Sequence, residues 1–127
     1  NEGDSQWTKT FGDAADQGAG WMALDGSGDL AAAVHHRGAV DYGGGALVAA
    51  GVAPAGDVAV ARLGGGSGSY QWSRRFGDAS DQDPRGVAID STKNVYVVGG
   101  LYGAASFGPV PILSAGKSDV FVAKLAP

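Results

Sequence analysis

The stretch Gln71-Trp72-Ser73-Arg74-Arg75-Phe76-Gly77-Asp78-Ala79-Ser80-Asp81-Gln82 has an echo 65 residues upstream, in Gln6-Trp7-Thr8-Lys9-Thr10-Phe11-Gly12-Asp13-Ala14-Ala15-Asp16-Gln17. Outward from it at the same offset, Ala23-Leu24-Asp25 meets Ala88-Ile89-Asp90, Gly38-Ala39 meets Gly103-Ala104, and Ala50-Gly51 meets Ala115-Gly116. Positions 6 to 51 hold 15 identities in 46. The first copy then carries three extra residues within Val52-Ala53-Pro54-Ala55-Gly56. Alignment resumes at an offset of 62, with Asp57–Leu63 over Asp119–Leu125 and five of seven residues identical. Agreement at Gly, Asp and aromatic positions amid drift elsewhere marks one supersecondary unit used twice.

Within each unit the apolar period is that of strands. Gly86–Asp90, the turn Ser91-Thr92-Lys93 and Asn94–Gly99 read as a hairpin rich in β-branched and aromatic residues. The first copy keeps the turn as Asp25-Gly26-Ser27-Gly28-Asp29. Asp119–Leu125 is a third strand and Tyr70–Phe76 a fourth, in which Trp72, Arg74 and Phe76 share a face. Gly64–Ser69 has the composition of a flexible linker, but it lies inside the repeat period and so joins the third strand to the fourth. No segment has helical periodicity. Four strands in roughly 65 residues, repeated, suit a propeller blade better than a solenoid coil. The expected fold is therefore all-β. Two four-stranded antiparallel propeller blades form one repeat domain over 1–127, either part of a larger propeller or assembling into one. Blade 1 covers 6–63, a Gly/Ser-rich loop 64–70, and blade 2 71–125.

The phrases Trp-x-x-x-Phe-Gly-Asp, Val-Ala-Ile-Asp-Ser-x-x-Asn-Val-Tyr-Val-Val-Gly, Ser-Ala-Gly and Asp-Val-Phe-Val-Ala-Lys-Leu, best seen in the second copy, resemble the SBBP repeat. That is a β-propeller repeat of secreted and surface proteins of myxobacteria and their relatives. The first copy departs where Ala31-Ala32-Ala33-Val34-His35-His36 replaces Tyr96-Val97-Val98-Gly99-Gly100-Leu101. The resemblance implies a repeated, exported scaffold, usually in long arrays, with an extracellular or cell-surface bacterial location and no single activity.

Composition narrows the function classes. The balance of 44% hydrophobic and 17% charged residues is globular, and the 23 glycines fall between short apolar runs as turn punctuation. A net charge of −4, with no Lys/Arg cluster, speaks against a nucleic-acid partner. No run reaches the roughly 20 apolar residues of a membrane span, so insertion is not expected. Cysteine is absent, which leaves stability without disulfides. The chain begins at Asn1 and its only methionine is Met22, which leads us to expect a longer or processed natural product with an upstream export signal.

Two blades share one interface and leave two apolar faces unburied. The chain opens on a fourth-strand segment and closes on a third strand. Pairing between chains is thus expected, with Trp7, Thr8, Lys9 and Phe11 of one copy zipping onto Val120, Phe121, Val122 and Lys124 of the next. Such a head-to-tail contact makes a ring of three or four chains, or a filament. The partners are other copies, or the remaining blades of a longer chain. Trp7, Phe11, Trp72 and Phe76 recur at one register and read as packing anchors between blades.

The alternative function is a carbohydrate- or calcium-dependent binding module. Asp13, Asp16, Asp78 and Asp81 form a repeated Gly-Asp-x-x-Asp-Gln phrase whose oxygens are candidate Ca²⁺ ligands, against the reading of a polar loop bonded to its own backbone. No other cofactor is expected. Trp21, which the repeat does not demand, is a candidate sugar-stacking surface with Tyr42, against the reading of core packing. Adjacent His35 and His36 point to opposite faces and cannot chelate one metal. Two histidines, no cysteine and no Gly-x-Ser-x-Gly elbow leave little from which to assemble an enzyme.

Overall fold

A computed structural model describes all residues, Asn1–Pro127, and every regular element in it is a strand. In chain order these are β1 (Trp21–Leu24), β2 (Leu30–His36), β3 (Ala39–Val40), β4 (Leu47–Val48), β5 (Asp57–Leu63) and β6 (Tyr70–Phe76), then β7 (Gln82–Ile89), β8 (Val95–Leu101), β9 (Ala104–Ala105), β10 (Ile112–Leu113) and β11 (Asp119–Leu125). The first blade is an antiparallel meander in the order β1-β2-β5-β6. The second is a three-stranded sheet in the order β11-β8-β7. Between the second and third strands of each blade sits a two-stranded ladder, β3 with β4 and β9 with β10. Repeat and structure coincide: β2 and β8, β3 and β9, and β4 and β10 lie 65 residues apart end for end, and β5 and β11 lie 62 apart.

The expectation of two four-stranded blades is corrected. The sheets hold four, three, two and two strands, and they do not close on one another. The blade frame is offset from the repeat frame. Strand β6 opens the second repeat yet is the outer strand of the first blade, so a boundary at residue 63 cuts that blade one strand short. Its counterpart in the first repeat, residues 5–11, forms no strand within the chain and lies across the first blade instead. Strand β11 consequently pairs with β8 alone.

The core lies between the blades. Alternation turns Ala31, Ala33, Val58, Val60 and Phe76 of the first blade toward Val95, Val97, Leu101, Phe121, Ala123 and Leu125 of the second. Phe107 stacks between Phe76 and Phe121, with ring centroids 4.5 and 4.7 Å away. A smaller cluster of Val40, Tyr42, Ala59 and Ala61, joined by Phe11, Val34 and Leu47, covers β5 on the first blade's other face. With both faces covered and both edges paired, β5 is buried along its whole length. The alanine run of β2 keeps full pairing on both sides.

Both hairpin turns use one device. The Asp25 carboxylate accepts from the N–H groups of Ser27 (2.8 Å) and Asp29 (3.1 Å), and that of Asp90 accepts from Thr92 and Asn94 (2.9 Å each). The fourth turn residue is left-handed in both: Gly28 at φ 86° and Lys93 at φ 69°.

Candidate functional site

Strand β5 is hydrogen-bonded on both sides, whereas its repeat counterpart β11 leaves one edge open along Asp119–Leu125. Beside that edge runs a groove of about 800 Å³ between β6 and the second blade, lined among others by Trp72, Arg74, Phe107, Lys124 and Leu125. An exposed row of strand N–H and C=O groups is a template for another strand.

Residues 5–11 are the complementary feature. They pair with no strand; Trp7 Nε1 donates to the Gly65 carbonyl at 2.8 Å, and the Phe11 ring sits 4.8 Å from that of Tyr42. Phe11 and Tyr42 each precede Phe76 and Phe107 by 65 residues. The Phe11–Tyr42 contact is thus the repeat image of Phe76–Phe107, through which β6 leans on the second blade. By that equivalence residues 5–11 lie over the first blade as β6 lies over the second. The expected anchors accordingly divide into two pairs: Trp72 and Phe76 pack in the core between the blades, and Trp7 and Phe11 on the far face of the first. An aromatic at both 42 and 107 was the sequence signal for this packing, overlooked because the two residues differ.

Both outer faces carry apolar side chains in the open. On the second blade Val120 is 79% exposed and Val122 72%. On the first, Met22 is 64% exposed, and beside it a hollow of about 370 Å³ beneath Trp7 and Phe11 is floored by the buried Leu30 and the half-buried Ala32 and Val34.

The other singled-out residues make contacts within the chain. Asp13 accepts from Ala15 N (2.8 Å), Gln17 Nε2 (3.0 Å) and Ala39 N (2.7 Å). Asp78 accepts likewise from Ser80 N (2.7 Å), Gln82 Nε2 (2.9 Å) and Ala104 N (2.8 Å). Each staples its loop to the following ladder. These donors, led by Ala15 N–H, hold Asp13 below the usual carboxylate range; at Asp78 burial pushes upward but the donors outweigh it. Asp16 faces Arg37 at 3.4 Å, and Asp81 accepts from Gly56 N and His35 Nε2, each at 2.9 Å. The four aspartates do not converge, and no group of three or more His, Asp or Glu gathers as metal ligands would. Trp21 and Tyr42 do not share a surface either. Trp21 pairs with Ala33 on the face toward the second blade, half exposed and donating Nε1 to the Pro84 carbonyl at 3.1 Å, while Tyr42 is buried beneath Phe11 on the opposite face. Burial pushes the Tyr42 phenol up to about 12.

Three polar links escaped the sequence reading. His35–Asp81 bridges the two blades, Arg62–Asp25 closes at 2.8 Å with both side chains buried, and Arg75 pairs with the fully buried Asp57. Each joins residues that only tertiary packing brings together, so spacing could not disclose them.

Residues 71–99, from β6 through most of β8, match the family model of the SBBP repeat, described as a beta-propeller repeat. The match covers 29 of the 127 residues. No curated protein matches the chain. The matched SBBP segment runs from the outer strand of one blade into the second strand of the next, across the same offset between repeat and blade that β6 displays. The fold is accordingly all-β, antiparallel, without helix, and of the propeller-repeat kind.

Proposed function

We propose that this chain is a non-catalytic structural or protein-interaction propeller module of the bacterial exterior that completes its open blade by strand pairing. The partner strand comes from another copy, in a ring or filament, or from further blades of a longer chain. The observation that carries this reading is the match between the unpaired edge of β11 and the unpaired residues 5–11, repeat images of the bonded pair β5–β6. The same equivalence gives the register. Val58 opposite Phe76, Ala61 opposite Ser73 and Arg62 opposite Trp72 become Val120 opposite Phe11, Ala123 opposite Thr8 and Lys124 opposite Trp7.

A scaffolding role is supported by where the reactive side chains are engaged: His35 with Asp81, Asp25 with Arg62, and Asp57 with Arg75. The exterior location rests on the SBBP resemblance, and loss of the protein to protease added to intact cells tests it. Strand pairing is tested by light scattering over a dilution series. Expected are masses at multiples of 12.6 kDa that fall on dilution, and a disulfide between Thr8→Cys in one copy and Ala123→Cys in another. A monomer at every concentration, with no such disulfide, would sink the reading.

A further inference from the structure

We infer that assembly is driven by face as well as by edge: the outer face of the second blade, around Val98, Val120 and Val122, docks on the outer face of the first blade of a second copy, over Leu30, Ala32 and Val34. This rests on the strand-pairing reading and names the occupant of the exposed valine face and of the hollow over the buried Leu30 and the half-buried Ala32 and Val34. The interface between the blades inside one chain is the template. There Val58 and Val60 of the first blade pack against Val95, Val97 and Phe121 of the second. One repeat along, Val58 and Val60 become Val120 and Val122, both exposed, and Val95 and Val97 become Leu30 and Ala32. Continuing the chain's own blade-to-blade step therefore sets valine against leucine and alanine, and repeats the packing already present.

The receiving side is already part-built. Phe11 sits on Tyr42 as Phe76 sits on Phe107, so residues 5–11 stand over the hollow on the first blade in the place that β6 takes over the second. A copy arriving with β11 alongside residues 5–11 brings Val120 and Val122 onto that hollow in the same movement, because both valines project from β11 on the side away from its own core.

The inner and outer interfaces differ in their clasps. Inside the chain, His35 Nε2 meets Asp81 Oδ1 at 2.9 Å and Trp21 Nε1 donates to the Pro84 carbonyl. One repeat along, His35 becomes Gly100 and Trp21 becomes Gly86, while Asp16 stands where Asp81 would be, its side chain 89% exposed. The contact between copies lacks these links, which suits a joint that opens and re-forms beside one that does not.

That difference supplies the experiment. A Cβ at Gly100 meets nothing closer than the Ser118 hydroxyl at 3.4 Å, so Gly100→His is accommodated and sets a histidine opposite Asp16 of the neighbouring copy. Sedimentation of the full chain near pH 6 is expected to show about two- to five-fold tighter association for Gly100→His, the scale of one partly exposed ion pair. The gain should vanish in the double variant with Asp16→Asn. Val122→Lys, at a 72% exposed site that leaves the β11 backbone edge intact, is expected to weaken association about tenfold or more. If the Thr8–Ala123 disulfide forms while Val122→Lys and Gly100→His leave association unchanged, edge pairing stands and face docking is overturned. If neither disulfide nor association appears, strand pairing itself has failed.

Discussion

His36 stands at the end of β2 where the second repeat has Leu101, and the exchange of a leucine for an imidazole can be followed at one buried point. Its side chain is fully buried and neither ring nitrogen has a hydrogen-bond partner. Burial lowers its pKa below the ordinary 6.5; Asp57 and Asp13 pull it up, and Arg75 and His35 add to the lowering. Because the unfolded chain takes the proton first, the stability tied to His36 is complete above pH about 6.5 and is lost as pH falls toward the lowered folded value. Urea midpoints should therefore drop between pH 7 and 5. His36→Leu should flatten that slope and raise stability by about 1–3 kcal/mol, the cost of an unsatisfied buried polar group; an unchanged slope would assign the titration elsewhere. Gln82 is the opposite case, buried and satisfied, with Nε2 donating to Asp78 and to the Tyr102 carbonyl (2.8 Å) and Oε1 accepting from Asp78 N. Gln82→Ala should cost about 2 kcal/mol by leaving those groups unpaired. Gln17→Ala, at the half-buried copy of the same site, should cost less, and equal losses in thermal melts would contradict this reading of burial.

Among elements, the β7–β8 turn carries the one non-glycine residue in a left-handed conformation, Lys93, at the position Gly28 fills in the β1–β2 turn. A side chain there costs roughly 1–2 kcal/mol. Against it stand contacts of Lys93 Nζ with Ser27 Oγ at 3.3 Å and Asp25 at 3.8 Å, from a half-exposed side chain and so worth under about 1 kcal/mol. The strain outweighs the contact, and Lys93→Gly is expected to raise the urea midpoint slightly; a lower midpoint would make the contact the stronger term. These turns also show what was legible in the sequence. The β-branched run of β8 and the alternation in β6 and β11 located those strands, because period and composition agree there. The ladders β3–β4 and β9–β10 escaped, since two-residue strands have no period. Strand β7 is eight residues long where β1 has four. Its extension runs beside Gly99, where a Cβ would meet the Asp83 carbonyl at 2.3 Å, and Val34 holds the equivalent place in the first repeat. Strand β6 was legible as a fourth strand joined to the third through Gly64–Ser69, as its pairing with β5 bears out; only the blade boundary at residue 63 differs, because sequence counts repeats, hydrogen bonds count blades, and the two frames differ by one strand. For the candidate sites, identity was legible and use was not, because a carboxylate in a Gly-Asp loop looks the same whether it faces a cation or, as Asp78 does, three N–H groups.

At the scale of the whole molecule, the segment proposed to pair with the open edge of β11 lies before β1. Moving Ser5–Phe11 to follow Leu125 through a copy of the Gly64–Ser69 loop would turn a contact between chains into one within a chain, with the connection that already joins β5 to β6. A short flexible linker supplies an effective concentration on the order of mM, so pairing should no longer depend on protein concentration. Alternate amides of an edge strand point away from its partner and exchange freely unless a further strand accepts them. In the unpermuted protein at high dilution, every second amide from Asp119 to Leu125 is therefore expected to exchange fast, and to gain protection as concentration rises. In the permuted protein the same amides should be protected at all concentrations. Fast exchange there would mean that residues 5–11 are not the strand that β11 accepts, even with the loop and the register both provided. Protection that persists while association also persists would instead locate the remaining affinity in the valine face of the second blade, because a filled edge has no N–H groups left to offer.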